Sequence, residues 1–257
     1  MRLVDVHCHL ESKHFEGRLD SIISGAREAG IVRLITSSIV PEEWGLSESI
    51  ARRYPEVEFA LGVHPWYIKE GDEERVEALS RARECGAVAI GEIGLDKKSG
   101  PVPLERQKSL FDSQLAIARE LDLPVIVHCR GAFDELRACV KKTGLSARGG
   151  LIHSFSGSVE IAAELIKQGF SFSFGGALTY RNSKKKEAVL KAVYPDRFML
   201  ETDSPDIPPV EAKPGPNVPA NILYNLRAAS EILGLSEEMV AEAGTANARR
   251  MFGLTLD

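Results

Sequence analysis

The chain has 257 residues, of which 44% are apolar and 27% charged, with a formal net charge of −5 at pH 7. This composition excludes a disordered chain, a collagen-like repeat and a small disulfide scaffold, and the length is enough to bury a core without a staple. No apolar run approaches the ~20 residues that cross a bilayer. No Lys/Arg tract exceeds Lys184-Lys185-Lys186, so a nucleic acid bound here is not held mainly by a strongly basic surface.

The chain opens with Asp5, His7 and His9 where a secretory leader needs an apolar stretch, and Cys8, Cys85, Cys129 and Cys139 have no paired spacing. A cytoplasmic protein with free thiols is expected. Short apolar runs then alternate with longer helical patterns. The runs, read as strands buried on both faces, cover residues 3–7, 32–36, 57–63, 87–93, 124–128, 150–154, 170–174 and 197–201. Helices are predicted over 18–29, 42–53, 72–84, 104–121, 132–143, 158–168, 183–193, 217–233 and 236–252, with the Pro-rich stretch from Pro205 to Pro219 as a long loop. Eight strands, each followed by a helix, predict an α/β fold, a TIM (β/α)8 barrel forming a single domain over residues 1–257. A doubly wound open sheet is the alternative, which an open sheet edge would reveal.

Five of the six histidines fall at predicted strand ends. His7 and His9 are two apart, so strand periodicity points both to one face and Cys8 to the other. His64 follows the third strand in Gly-Val-His-Pro, His128 ends the fifth and His153 ends the sixth. Glu92 ends the fourth and Asp203 the eighth. Only His14 lies apart, in a loop, and reads as solvated. Barrel enzymes build their sites at the C-terminal strand ends. Each residue has a bland reading alone: a backbone-bonded histidine, an ion-paired acid, a turn cap. A bound cation explains them together, because buried charges need partners.

Imidazole with carboxylate suits Zn, Mn, Fe or Ni, with Mg less at home among so many nitrogens. The donors exceed what one tetrahedral ion needs, so one or two divalent metal cations per chain are expected. Glu92 and Asp203 contribute −2 and two divalent ions +4, leaving about +2, which favours an anionic substrate such as a phosphate ester. Arg130, two residues past His128, faces the same way and offers a planar donor for phosphate oxygens, against the simpler reading of a surface ion pair. Trp66 is positioned either to stack on a terminal base or to cover the barrel rim. Asp96 reads equally as a loop cap or as an acid in the mouth, and the lysine run as a solvated face.

Taken as an ordered set, these blocks resemble the TatD family of metal-dependent deoxyribonucleases, within the amidohydrolase-type barrels. The resemblance runs from Asp5-Val6-His7-Cys8-His9 through Gly62-Val63-His64-Pro65, Gly91-Glu92-Ile93-Gly94-Leu95-Asp96, His128-Cys129-Arg130, His153-Ser154-Phe155-Ser156-Gly157 and Glu201-Thr202-Asp203-Ser204-Pro205 to Asn247-Ala248-Arg249-Arg250-Met251-Phe252-Gly253. It implies that His7, His9 and Asp203 hold one ion, that His128 and His153 hold the other, and that Glu92 bridges them. It implies phosphodiester hydrolysis at a nucleic-acid end by a 3'-5' exonuclease, with a single-stranded or frayed DNA end as substrate. No membrane association and no obligate protein partner are expected. Asp203, Glu92 and His64 become the expected catalytic residues; Arg130, His64 and Trp66 are the expected substrate contacts. Two departures stand out. Pro216-Asn217-Val218-Pro219 replaces the family's frequent Arg-Asn-Glu-Pro, and Lys97 and Lys98 replace aromatic residues after Gly-Leu-Asp. The alternative function is a small-molecule amidohydrolase, a lactonase or another phosphoesterase on the same barrel. Many such enzymes bridge their metals with a lysine where this chain has Glu92.

Overall fold

Alternating buried runs and amphipathic segments close into one eight-stranded parallel sheet. The computed structural model describes residues 1–180 and 184–256. The strands are β1 (Leu3–Cys8), β2 (Ile31–Ser37), β3 (Val57–Leu61), β4 (Ala89–Asp96), β5 (Val125–Arg130), β6 (Gly150–Ile152), β7 (Phe170–Phe174) and β8 (Phe198–Leu200), each paired in parallel with the next. The helices are α1 (Leu19–Glu28), α2 (Trp44–Arg53), single turns α3 (Asp72–Arg75) and α4 (Ala82–Cys85), α5 (Leu104–Glu120), α6 (Phe133–Thr143), α7 (Val159–Lys167), α8 (Lys184–Val193), α9 (Ile222–Leu233) and α10 (Glu237–Phe252). The architecture is the TIM barrel expected. Among the described residues, no helix is long and apolar enough to cross a membrane.

The barrel closes just beyond β8. Thr202 donates its N–H and hydroxyl to the two Asp5 carboxylate oxygens at 2.9 and 2.6 Å. The Asp203 N–H then donates to His7 O at 2.9 Å, and the His9 N–H to Ser204 O at 2.8 Å. Two apolar layers hold the barrel. An outer layer joins strands to helices through residues such as Leu34, Phe111, Leu115, Phe170 and Phe198. An inner layer, with Val6, Ile35, Ala60, Ile126, Leu151 and Met199, is floored by Met251 and Phe252 of α10. On β5 and β6 the inner residues Ile126 and Leu151 are followed two positions later by His128 and His153, as strand periodicity requires.

Several elements differ from the sequence-based expectation. Predicted helix 72–84 is instead α3, a 3-10 stretch over Val76–Arg81 and α4. Its buried residues Val76, Leu79 and Ala82 lie three apart, the repeat of a 3-10 helix. The helix predicted over 217–233 begins at Ile222. Pro219 holds Val218 extended and starts a separate turn, Pro219–Asn221. The start predicted at residue 183 lies outside the described residues; α8 is helical from Lys184.

Glu92 does not end β4, which runs four residues further to Asp96. Between Ile90 and Ile93, β4 uses three residues where β5 uses two, and β1 does the same between Asp5 and Cys8 against β2. These bulges re-aim the side chains within them. Beyond the β4 bulge, Gly94 has φ +148°, and a Cβ there would lie 1.9 Å from His128 O. Gly94→Ala should therefore cost at least ~1–3 kcal/mol through forced overpacking at the β4–β5 seam, read as a lowered Tm in thermal unfolding; an unchanged Tm contradicts this reading.

Candidate metal centre

The strand ends bring His7, His9, His64, Glu92, His128, His153 and Asp203 into one pocket at the C-terminal mouth. Glu92 lies at its centre, carried inward by the β4 bulge. Its Oε1 lies 2.8 Å from His153 Nε2 and 3.3 Å from both His64 Nε2 and His128 Nδ1. Its Oε2 lies 3.4 Å from His7 Nε2 and 3.6 Å from His9 Nε2. Asp203 Oδ1 lies 3.4 and 3.5 Å from the same two nitrogens. The two Glu92 oxygens thus divide the imidazoles, with His7 and His9 on one side and His64, His128 and His153 on the other.

These separations suit a cation better than hydrogen bonds. Most exceed the 2.7–3.2 Å range of an N–H···O bond. Two ligand atoms bound tetrahedrally at ~2.1 Å are about 3.4 Å apart, which is the spacing seen. The buried atoms His7 Nδ1, His7 Nε2 and His153 Nδ1 have no hydrogen-bond partner. Three overlapping groups, His7 with His153 and Asp203, His7 with His9 and Glu92, and His64 with Glu92 and His128, each have all their ligand atoms within 4.8 Å of one another. The nitrogen and oxygen donors therefore fit divalent cations.

The hydrogen-bond network distinguishes the histidines. His9 Nδ1 meets Ser37 O at 2.8 Å, a contact that requires a proton on that nitrogen and turns the Nε2 lone pair toward the acids. His64 is arranged the other way. Its Nδ1 accepts the Trp66 N–H at 3.1 Å, so the neutral ring carries its proton on Nε2, facing Glu92. Burial lowers the His64 pKa, opposed by the Glu92 charge. His64 is a hydrogen-bond donor into the pocket.

Without a cation, protons balance the acids. Burial pulls the pKa of His7 down, but the adjacent Asp203 and Glu92 carboxylates outweigh it and lift it to about 10. His128 is likewise lifted to about 9 by Asp96 and Glu92 against burial. Burial pushes Glu92 up, yet the imidazoles around it, His153 foremost, hold it well below the usual carboxylate range. Asp203 is held low, against burial, by the adjacent His7 and His9 imidazoles.

The other expected residues lie around this pocket. Arg130 is exposed and donates to Ser99 Oγ at 3.0 Å; it forms no ion pair among the described residues, so the surface-pair reading does not hold. Trp66 is half-buried and donates its indole N–H to Asp96 at 2.9 Å, while Tyr67 beside it is 42% exposed. Asp96 caps its loop with one carboxylate oxygen and turns the other to Trp66 and His128, buried behind the mouth. The lysine run is more than a solvated face: Lys185 Nζ donates to Ser156 O at 2.8 Å, and Lys186 lines a small cavity with Ser154, Ser173 and Gly175. His14 is exposed as expected, but in a 3-10 turn, Lys13–Phe15, rather than a loop. Asn217 is fully buried and donates to Thr202 O and Asp206 O, so it ties down the Pro-rich loop.

Sequence reasoning missed Glu11, Glu201, Gln107 and Gln114. Buried Glu11 bonds Thr36 and meets His9 Nδ1 at 3.3 Å. Buried Glu201 accepts from Ser154 N–H and Ser173 Oγ. Gln107 and Gln114, seven apart on one face of α5, each pair with a strand-end backbone through both amide atoms. Gln107 holds Asp96, and Gln114 holds Val63 next to His64. The one signal was their helical spacing.

The model of the family described as TatD related DNase matches residues 4–253. The chain belongs to the TatD family. The metal-dependent hydrolase YabD of Bacillus subtilis is 33% identical, with 97% of this chain and 98% of that protein covered. The 3'-5' ssDNA/RNA exonuclease TatD of Pantoea ananatis is 30% identical over 98% and 100% of the two chains. The crystal structure of YjjV, a TatD homologue from Escherichia coli, superposes with a TM-score of 0.93 at 31% identity, covering 98% of each chain. The protein is accordingly a metal-dependent hydrolase of the TatD family.

Cation binding must displace protons held by His7 and His128. Calorimetric titration of the metal-free protein with Zn²⁺ near pH 7.5 should release protons, giving heats that depend on the buffer's ionisation enthalpy. Affinity should fall as pH is lowered from 8 to 5. Buffer-independent heats with a flat affinity contradict this account.

Proposed function

We propose that the protein hydrolyses phosphodiester bonds of nucleic acid with one or two divalent cations, as a 3'-5' exonuclease acting on single-stranded or frayed DNA ends in the cytoplasm. The observation that carries the reading is the spacing of 3.3–3.6 Å between the Glu92 and Asp203 oxygens and the imidazoles of His7, His9 and His128. His7, His9 and Asp203 would hold one cation, His128 and His153 the other, with Glu92 between them. When bound, such cations lower the pKa of water toward ~7 and offset charge on phosphoryl oxygens.

The chain's own groups do the rest. Asp203, kept ionised by His7 and His9, accepts a proton from the attacking water as its oxygen bonds to phosphorus. The phosphorus–oxygen bond to the departing nucleoside breaks, and that oxygen takes the proton back from Asp203. His64, with its proton on Nε2, donates a hydrogen bond to a phosphoryl oxygen as charge develops there. Arg130 forms no ion pair among the described residues and offers its planar fork to the same phosphate. Trp66 and exposed Tyr67 provide aromatic surface at the mouth, where stacking contributes ~1–3 kcal/mol per base. Support for a nucleic-acid substrate also comes from the exonuclease name of the Pantoea ananatis relative.

The test is cleavage of end-labelled single- and double-stranded DNA and RNA by protein of known metal content. Excess chelator should abolish cleavage, and Mn²⁺ or Mg²⁺ should restore it. Glu92→Gln, which removes the central charge and keeps the shape, should lower kcat by ~10²–10⁴-fold. Full activity of verified metal-free protein, or of Glu92→Gln, would overturn the proposal.

A further inference from the structure

One carboxylate stands between the cation pocket and the mouth and belongs to neither. Asp96, at the end of β4, is 2% exposed and accepts four hydrogen bonds. Oδ1 takes the backbone N–H groups of Lys98 and Ser99 at 2.6 and 2.9 Å. Oδ2 takes Trp66 Nε1–H at 2.9 Å and lies 2.9 Å from His128 Nε2. Its own backbone is gripped by Gln107, which accepts the Asp96 N–H at 2.8 Å and donates to Asp96 O at 3.1 Å and Val102 O at 2.8 Å. The carboxylate therefore has little freedom to turn. Across the imidazole, His128 Nδ1 lies 3.3 Å from both Glu92 Oε1 and His153 Nε2.

A neutral imidazole offers one lone pair, on the nitrogen that does not carry the proton. A carboxylate only accepts, so Asp96 obliges the nitrogen facing it to carry that proton. From this geometry we infer that Asp96 is a positioning residue that makes Nδ1 the cation-facing atom of His128 and, through the same oxygen, fixes the Trp66 indole to that ligand. The inference rests on the proposed cation site but not on the identity of the substrate. It accounts for the burial of an acid that contributes no atom to the pocket. It also makes the aromatic rim and one wall of the centre a single unit, with Gln107 as its anchor on α5.

Asp96→Asn preserves shape and removes the property that matters. In one amide orientation, the Asn NH₂ faces two donors, Trp66 Nε1–H and His128 Nε2–H. In the other it faces the Lys98 and Ser99 N–H groups. In the first orientation the indole cannot give up its hydrogen, so His128 must move its proton to Nδ1 and lose the lone pair aimed at the pocket; in the second, the side chain loses the two loop bonds that hold it beside His128. Loss of such an outer partner typically costs 10–100-fold in metal affinity.

Two measurements test this, neither of them nuclease activity. In the zinc-loaded wild-type protein labelled with ¹⁵N-histidine, NMR should show His128 protonated at Nε2 and coordinated at Nδ1. In Asp96→Asn, zinc affinity measured by chelator competition should fall 10–100-fold, and the Trp66 indole N–H should lose protection from exchange. A wild-type His128 protonated at Nδ1, or an Asp96→Asn protein with unchanged zinc affinity, overturns the inference. The wild-type spectrum decides alone if the variant does not fold. A protein with the expected spectrum but no action on nucleic acid would sink the proposed function and leave this inference standing.

Discussion

Two carboxylates and five imidazoles share one buried volume, and their charges must balance. Glu92 is 3% and Asp203 7% exposed, and removing an ionised carboxylate from water costs several kcal/mol unless it is compensated. Protons on His7 and His128 provide one balance; divalent cations provide another. The second explains more, because the oxygen–nitrogen separations are too long for good hydrogen bonds and right for ligands sharing an ion. The barrel supplies what short sequence motifs cannot: six strands that bring these side chains together from opposite sides of a closed sheet.

Holding such a centre requires rigid surroundings, and the protein makes them from buried polar side chains. Asp5 bonds Thr202 across the β8–β1 seam, so the closure of the barrel also sets the backbone beside Asp203. Glu201 ties the Ser154 backbone after His153 to Ser173 on β7. Gln107 and Gln114 let a single helix face of α5 align the ends of β3 and β4. Asn217 does the same for the loop after β8 with three backbone carbonyls. Each of these groups would be costly to bury alone and is fully used here. Polar pairing, more than apolar packing, therefore distinguishes the mouth of this barrel from its floor.

Much of the site was legible because its chemistry is carried by rare residues at regular places. Histidines and acids directly after apolar runs mark strand ends, and barrel geometry then predicts that they meet. The bulges in β1 and β4 were not legible. Val4 and Val6 line the inner layer while His7 also turns inward, a change of phase that strand periodicity does not contain. The extent of β4 was misread because Gly94, just past the expected strand, looks like its ending, while Gly91 and Gly94 in fact permit close contact with β5. Glutamines spaced seven apart read as solvent-facing polar residues until the strand ends are seen against them. Which nitrogen of a histidine faces inward depends on partners as distant in sequence as Ser37 from His9. The resemblance of the motifs to the TatD family supplied a ligand set; in the structure the two oxygens of Glu92 face His7 and His9 on one side and His64, His128 and His153 on the other, while His7, His153 and Asp203 also lie close together.

The most direct measurement is anomalous diffraction at the metal edge from crystals loaded with Zn²⁺ or Mn²⁺. The account predicts one or two peaks inside the pocket, about 2.0–2.2 Å from nitrogen or oxygen atoms of His7, His9, Glu92, His128, His153 and Asp203, with His64 outside bonding distance. A fully loaded protein with no peak among these side chains, or with its ion bound elsewhere, would contradict it.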